Sequence, residues 1–367
     1  MSRLRELLRE LCPDGVEYKR LGEVATLNRG IRVVREQLEA EGKFAVYQNS
    51  LTPLGFFDKS NCPADMTFII TAGAAGEIGY SAVPFWAADD CYYCDGGEKL
   101  ISRYLYHVFL QKQLYIKSRV RKASIPRLSR TVLENLVIPV PPLEVQREIV
   151  QILDSFTELT AELTAELTAR EKQYNYYAKA IFSPGKEVDI LKLSQLADIG
   201  TGSSNTNEEI ESGKYPFFVR SQEVRYKNDF EYDETAVITA GDGVGVGKIF
   251  HYIEGKYALH QRAYRIHFTD ERIIPKYFFY YMKSTFYEYI QKESFHSSVT
   301  SVRRPMLNNY PVPVPSIADQ RRIVSILDRF DTLCHDLTAG LPAEIAARQK
   351  QYAYYRDKLL TFKRKEA

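Results

Sequence analysis

The chain predicts an α+β fold: two pseudo-symmetric α+β domains joined by two long antiparallel helices that form a coiled coil. Three observations carry that expectation. A long segment, Ile138 to Phe156, returns as Val312 to Phe330 at an offset of 174 residues. The first copy runs into a stretch without Gly or Pro whose apolar residues recur at helical spacing. Ahead of each copy lie short apolar runs that end in glycine-rich turns, the pattern of strands in a small sheet. A repeat of about half the chain length implies two copies of one large unit rather than a solenoid.

The copies are matched beyond that segment. Gln146 pairs with Gln320, Arg147 with Arg321, and Asp154 with Asp328. Arg20 to Leu27 aligns with Lys192 to Ile199 at 172, and Ile70-Thr71-Ala72-Gly73 with Ile238-Thr239-Ala240-Gly241 at 168. Arg103 to Tyr106 resembles Lys276 to Phe279, while Ser124, Leu133 and Asn135 fall opposite Ser298, Leu307 and Asn309. Outside these anchors the copies diverge, so each unit has a fixed frame and a variable part. A two-fold-like protein suits a ligand with two similar ends, of which double-stranded DNA is the commonest.

Taken in order, Met1 to Glu10 interleaves Arg and Glu with Leu and reads as an amphipathic helix rather than a signal peptide. Phe68 to Thr71 and Ala236 to Thr239 read as strands, followed by turns built on Gly73, Gly76 and Gly79 and on Gly241, Gly243, Gly245 and Gly247. Lys99 to Arg121 and Ile273 to Glu293 read as helices rich in Tyr and Phe. Pro139, Pro141 and Pro142 impose an extended entry to the next helix. The resulting division is a first domain over 1–140, a central spacer helix over 141–182, a second domain over 183–314 and a distal spacer helix over 315–367.

From Glu144 to about Ile181, the residues Ile149, Ile152, Leu153, Phe156, Leu159, Leu163 and Leu167 form one stripe. Some 38 residues at ~1.5 Å each give a rod of roughly 57 Å, which needs a partner along its apolar side. Ile323, Ile326, Leu327, Phe330, Leu333, Leu337 and Leu341 offer the matching stripe. Within the rods lie tetrads: Leu159-Thr-Ala-Glu, Leu163-Thr-Ala-Glu and Leu167-Thr-Ala-Arg in the first copy, and four beginning at Leu333, Leu337, Leu341 and Ile345 in the second. The leucines themselves are a packing stripe. Each tetrad adds about 6 Å of helix, so tetrad number would set the spacing of whatever the rods carry. Gly340 and Pro342 should weaken or kink the second rod.

Composition fits a globular protein, with 45% hydrophobic and 26% charged residues. No apolar run approaches membrane-spanning length, so no membrane is expected. Five cysteines at irregular spacing argue for a reducing cytoplasm and against a disulfide framework. The net charge of +2 hides a separation. Lys99 to Leu133 holds nine Lys or Arg and no acid, whereas Pro142 to Glu171 holds seven acids against two arginines. The first stretch can attract phosphates; the second should avoid DNA and meet protein. The plainer reading is a solvated surface of mixed charge.

Catalytic motifs fail. Gly243-Val-Gly245-Val-Gly247-Lys248 mimics a phosphate loop, but Asp242 stands where the first glycine belongs and Ile249 replaces Ser or Thr. The acids Asp14 and Glu17 lie too close in sequence to reach one metal from neighbouring strands. Cys91 and Cys94 are a lone pair, and a structural zinc needs four ligands. No histidine has zinc-protease spacing or an evident nucleophile beside it. Pro139 to Pro142 lacks the Asn or Asp and the aromatic residue of an amino-methyltransferase loop. The chain is therefore expected not to be an enzyme.

The opening Leu11-Cys12-Pro13-Asp14-Gly15-Val16-Glu17-Tyr18-Lys19-Arg20-Leu21-Gly22-Glu23-Val24, the doubled Ile/Val-Pro-Val-Pro…Gln-Arg-x-Ile-Val-x-Ile-Leu-Asp-x-Phe segment and the Leu-Thr-Ala-Glu tetrads together resemble the specificity subunits of type I restriction–modification systems. The resemblance covers essentially the whole chain. It implies two target-recognition domains, each reading one half of a bipartite double-stranded DNA sequence, with tetrad number setting the gap. It also implies docking of two modification subunits, which bind S-adenosylmethionine and methylate adenine, and of restriction subunits that translocate and cut. No cofactor is expected on this chain itself. The extra tetrad and Pro342 depart from exact internal symmetry.

Recognition residues cannot be carried over from such a family, because they lie in its divergent loops. On chemistry alone, Arg29, Arg32 and Arg35 can meet phosphate or guanine. Gln48, Asn49 and Ser50, with Arg220, Ser221 and Gln222, suit base edges. Ser124, Arg127 and Arg130, with Ser298, Arg303 and Arg304, precede the frame in each copy, and His260-Gln261-Arg262 is a further candidate segment. For each, a salt-bridged surface role is the alternative. Tyr174, Tyr176 and Tyr177, like Tyr352, Tyr354 and Tyr355, suit packing against helices or partners. A two-lobed protein scaffold that never reads DNA is the competing function; a self-sufficient methyltransferase lacks the motifs it needs.

Overall fold

The computed structural model describes residues 2–182, 188–293, 301–336 and 338–365. Contacts divide the chain into two compact units, Met1–Leu163 with Glu344–Ala367, and Thr164–Ala343. The expected mixture of sheet and helix is present in each.

In the first unit α1 (Ser2–Leu11), β1 (Glu17–Arg20), α2 (Leu21–Val24) and β2 (Thr26–Arg29) lead into the body. There follow β3 (Phe44–Tyr47), β4 (Gly55–Phe57), β5 (Met66–Ile70), β6 (Ile78–Ser81), β7 (Trp86–Ala87) and β8 (Cys91–Asp95). Then come α3 (Ser102–Ser118), α4 (Arg130–Glu134), β9 (Val137–Val140) and the start of α5 (Leu143–Ile181). One sheet has the order β2-β8-β5-β6 and a second β4-β3-β7, while β1 pairs with β9 alone. The two-stranded pair tolerates Pro139 because neither strand continues into a larger ladder.

The second unit holds the end of α5, then β10 (Asp189–Lys192), β11 (Ala197–Thr201), β12 (Tyr215–Phe218), β13 (Arg225–Lys227) and β14 (Tyr232–Ala240). It continues with β15 (Phe250–Leu259), β16 (Ala263–Phe268), α6 (Pro275–Glu293), α7 (Arg304–Asn308), β17 (Pro311–Val314) and α8 (Ile317–His335). Its sheet order is β11-β16-β14-β15-β12-β13, with β10 paired to β17. The topology is that of the first unit. The long β15 pairs antiparallel with β14 and, by its end, parallel with β12, as β6 does with β5 and β7 with β3.

Strand register corrects one of the sequence matches. Leu27 faces Cys94 and Ile199 faces Ile266, while Thr67 faces Cys94 and Val237 faces Ile266. Thr67 is therefore equivalent to Val237, an offset of 170 in place of the 168 suggested by the repeated Ile-Thr-Ala-Gly. A slip of two keeps every side chain on its face, which is why the wrong match looked acceptable. With the corrected offset Gly73 falls on Gly243, and both have positive φ, +78° and +87°. Cys91 and Cys94 are both buried, but they stand three apart on β8 and enter different cores, so they cannot share a ligand.

The repeated frame residues explain themselves in the two cores. Gln146 is fully buried. Its Oε1 accepts from the Ile101 N–H at 2.9 Å, and its Nε2 donates to the Lys99 and Pro141 carbonyls at 2.8 Å each. Gln320, equally buried, accepts from Ile274 N–H at 2.8 Å and donates to the Arg272 and Pro315 carbonyls at 2.7 and 2.8 Å. Each glutamine thus joins the start of the tyrosine-rich helix, α3 or α6, to the start of α5 or α8. Tyr104 and Tyr277 donate to the Pro139 and Pro313 carbonyls, both at 3.2 Å.

About two turns beyond each glutamine, Asp154 receives Arg103 and His107, each at 2.9 Å, and Asp328 receives Lys276 at 3.0 Å and the Tyr280 hydroxyl at 2.5 Å. Ile149 and Leu153 are buried in the first unit, Ile323 and Leu327 in the second. Within the first unit α5 packs against α9 (Leu341–Leu359), where Phe156 stacks on Tyr355; within the second it packs against α8, where Tyr174 meets Phe330. Leu159, Leu163 and Leu167 are half-buried, with Ala and Glu outside them. Ile326 departs from the expected stripe, being 37% exposed, and Cys334 is buried instead. Leu337 lies outside the described residues.

The distal spacer expected over 315–367 is not one helix. α8 ends at His335, and the Asp336 side chain accepts from Thr338 and Ala339 backbone N–H groups, a local bond that competes with helix. Gly340 follows at a point where a Cβ would lie 2.4 Å from the Thr332 carbonyl oxygen, and Pro342 opens α9. The chain beyond α9 returns to β1: Val16 N–H donates to Lys363 O at 2.9 Å and Lys365 N–H to Val16 O at 3.0 Å. Nothing in the sequence pointed to that strand-like contact.

The buried joint at Asp154 has a pH consequence. Burial pushes His107 below the ordinary imidazole value, outweighing Asp154 beside it. A lowered folded pKa contributes stability above ~6.5 that is lost as pH falls below it. Asp154 is held below its own ordinary value by His107 and Arg103 against its burial, so its contribution persists to lower pH. His107→Tyr, which copies Tyr280 of the second unit, should flatten the loss of first-unit stability between about pH 6.5 and 5. Equal slopes for wild type and variant in pH-dependent denaturation would contradict this assignment.

Candidate nucleic-acid interface

The variable loops of each unit gather together, tied to one another by main-chain hydrogen bonds. In the second unit β11, β12, β14 and β15 all deliver their C-terminal ends to neighbouring loops. His260 N–H donates to Phe218 O at 2.9 Å, Gly241 N–H to Arg262 O at 2.9 Å, Gln261 N–H to Ser204 O at 3.0 Å and Val302 N–H to Gly241 O at 2.8 Å. Four loops are thereby tied to one another by main chain.

Their side chains are ordered by specific partners. Asp242 takes Arg220 on one carboxylate oxygen at 2.6 Å and Arg262 on the other at 3.0 Å. Both arginines hold Asp242 below the ordinary carboxylate value against the burial that acts to raise it. Gln261 Nε2 donates to Asn205 Oδ1 at 2.5 Å. His260 Nδ1 accepts from the Arg262 N–H at 3.0 Å, which leaves the ring proton on Nε2; burial and Arg220 favour the neutral ring. Underneath, the buried Lys227 bonds Ser204 at 2.9 Å and Glu208 at 2.7 Å and braces the 202–209 loop. Two recesses result, of about 450 Å³ beside Asn205, His260 and Gln261 and about 310 Å³ beside Ser221 and Gly243, with Arg220 between them. Val244 at the tip of the 241–247 turn is fully exposed.

The first unit repeats the arrangement with other side chains. Ala74 N–H donates to Asn49 O, Gly73 N–H to Pro126 O, Thr71 N–H to Asp90 O and Leu128 N–H to Thr71 O, at 2.8 to 3.2 Å. Arg121 and Arg127 exchange both backbone bonds and close a small loop that carries Ser124. Arg29 Nε donates to Asp89 O at 2.9 Å. Arg121, Lys122 and Arg127 are exposed and enter no ion pair among the described residues.

The structure therefore brings together Arg29, Gln48, Asn49, Ser50, Ser124 and Arg127 in one unit, and Arg220, Ser221, Gln222, Gln261 and Arg262 in the other. Arg32 and Arg35 are exposed but lie on the segment leading away from β2 along the smaller sheet, where Val33 packs with Val46. Arg130 sits on α4 and pairs with Glu134 at 2.7 Å. Arg303 is exposed ahead of α7, while Arg304 donates to the Ile199 carbonyl of the frame. Ser298 lies outside the described residues. The sequence reading missed Asp242, Asn205 and Asp89, since a carboxylate or amide in a divergent loop has no spacing signal of its own.

The two turn glycines separate backbone conformation from packing. A Cβ at Gly243 meets nothing within 4 Å, whereas one at Gly73 would lie 2.9 Å from the Asn49 Cβ and carbonyl oxygen. Gly243→Ala should cost only the left-handed backbone penalty, ~1–2 kcal/mol. Gly73→Ala should cost more and displace the Gln48–Ser50 loop, as read by thermal unfolding and by amide shifts in that loop. Equal costs would contradict the contact.

Comparison with known proteins gives these loops a context. A family model described as the type I restriction modification DNA specificity domain matches residues 13–170 and again 185–347. S.HindORF215P of Haemophilus influenzae, provisionally named a type I restriction enzyme specificity subunit, is 30% identical over 99% of this chain and all of its own length. The EcoR124I/EcoR124II specificity subunit of Escherichia coli is 32% identical over 62% of each chain. The crystal structure of the type I restriction–modification S subunit from M. genitalium shares the fold, with a TM-score of 0.68 at 16% identity over 94% of this chain and 96% of that one. Two copies of the family domain, on two units of one topology, make this chain a member of the type I restriction–modification specificity-subunit family.

Proposed function

We propose that the chain reads a bipartite double-stranded DNA target, one half with each unit, and carries no catalysis of its own. The observation behind this reading is the contrast between two frames joined by identical buried bonds and two loop clusters that bear different side chains. A protein with fixed frames and exchangeable ends is suited to one docking geometry and many targets. A scaffold that grips only proteins finds no support in the family comparison.

On this reading Arg29, Gln48, Asn49, Ser50, Ser124 and Arg127 face one half-site, and Arg220, Ser221, Gln222, Gln261, Arg262 and Arg303 the other. Arg32, Arg35 and Arg130 serve the phosphate backbone at the margin. The exposed Arg121, Lys122 and Arg127 add the salt-dependent attraction that any duplex exerts on free cations. The chain binds no cofactor; S-adenosylmethionine belongs to two modification subunits that dock on it, and restriction subunits complete the assembly. The tetrads of α5 set the unspecified gap between half-sites. The free cysteines suit work in the cytoplasm, beside the DNA.

Mapping of adenine methylation in cells that carry this chain with its modification subunit, against cells lacking only this chain, tests the reading. A bipartite motif with a fixed gap should vanish on deletion. Unchanged methylation, with the chain expressed and assembled, would overturn it.

A further inference from the structure

The two reading ends can be compared station by station, because strand register equates them. Tyr47 faces Ala87 as Phe218 faces Leu259, which sets Asn49 against Arg220, Asp89 against Gln261 and Asp90 against Arg262. Isolated bridges between Ala72 and Arg127 and between Asp242 and Ser301 set Ala72 against Asp242 and Arg127 against Ser301. The second unit thus has two arginines on one carboxylate where the first has Asn49, Ala72 and Asp90. These stations carry different side chains on the same backbone, and at Asp90 and Arg262 the charge is reversed.

The geometry points to a specificity role: Arg220 and Arg262, aligned by Asp242, read guanine in the half-site served by the second unit. This rests on the DNA-reading function proposed above. Each guanidinium gives one terminal nitrogen to Asp242, which leaves its Nε and other terminal nitrogen as a two-donor edge. Side-by-side acceptors in the major groove occur at guanine O6 and N7, and a guanidinium fork matches them. A phosphate is the rival partner for such a fork. Asp242 argues against it, because its negative charge between the two arginines repels an anion while fixing the direction of both donors. Around them stand the Asn205–Gln261 amide pair and Ser221, the exposed apolar Val244, and Arg225, whose charge is met by Glu209 at 2.5 Å. Arg262, with its side chain 61% exposed against 39% for Arg220, is the more available of the two. Asp242 touches no base in this account and is a positioning residue.

Methylation mapping with the modification subunit present tests the assignment for wild type, Arg262→Ala, Arg220→Ala and Asp242→Asn. The expected result is relaxation at a G·C position in one half of the motif, with the other half and the gap unchanged, and a weaker relaxation of the same position for Asp242→Asn. Uniform loss of methylation at all sites, without relaxation of any base, would mark the arginines as phosphate contacts and overturn the proposal; so would relaxation confined to A·T positions. A second measurement needs no variant. Replacing guanines of that half-site by 7-deazaguanine removes N7 and should weaken binding of the assembled wild-type complex by roughly fivefold or more at the guanine read. Unaltered affinity at every guanine would overturn the proposal. Failure of the DNA-reading function itself looks different, since wild type would then yield no bipartite motif at all.

Discussion

The buried glutamine at the head of each long helix is the constraint on which the architecture depends. Gln146 and Gln320 are fully buried, and each satisfies one amide and two carbonyls where two chain segments meet. An apolar side chain there would leave those groups unpaired, at about 1–3 kcal/mol for each. The proline-rich strands need such a partner, because prolines bring carbonyls to the joint without the donors that would pair them. Tyr104 and Tyr277 on α3 and α6, then Asp154 and Asp328 on α5 and α8, continue the same seam. The seam fixes where each sheet stands on its helix.

Because the seam is complete without any loop at the reading end, those loops are free to change. The second unit spends its charge on an Arg–Asp–Arg cluster braced by the buried Lys227; the first spends it on Arg29 and the Arg121–Arg127 loop. The separation of frame from reader is physical: the seam's glutamines, tyrosines and aspartates are bonded inside the core, whereas the Arg220–Asp242–Arg262 cluster is held together at the surface.

Much of this was legible in the chain. The duplicated Pro-Val-Pro…Gln-Arg segment located both seams, and an unbroken apolar stripe located α5. Legibility ended where an outcome depended on register or on partners far apart in sequence. The repeated Ile-Thr-Ala-Gly was matched two residues off, since a slip of two in a strand leaves the pattern intact. Gly340 and Pro342 predicted a weak point in the distal rod, but the break was completed by Asp336 bonding its own turn. The return of residues 363–365 to Val16, and Asp242 between arginines 22 and 20 residues away from it, have no local signature.

Amide hydrogen exchange in Gln146→Leu, compared with wild type, tests the central claim most directly. The account predicts that the Ile101 amide exchanges about thirtyfold faster or more, the equivalent of ~2 kcal/mol of lost local stability, while the Ile274 amide, held by Gln320, keeps its wild-type rate. Unchanged exchange at Ile101 would mean that the glutamine is not what holds the reader helix to the long helix, and the account of the seam would fall.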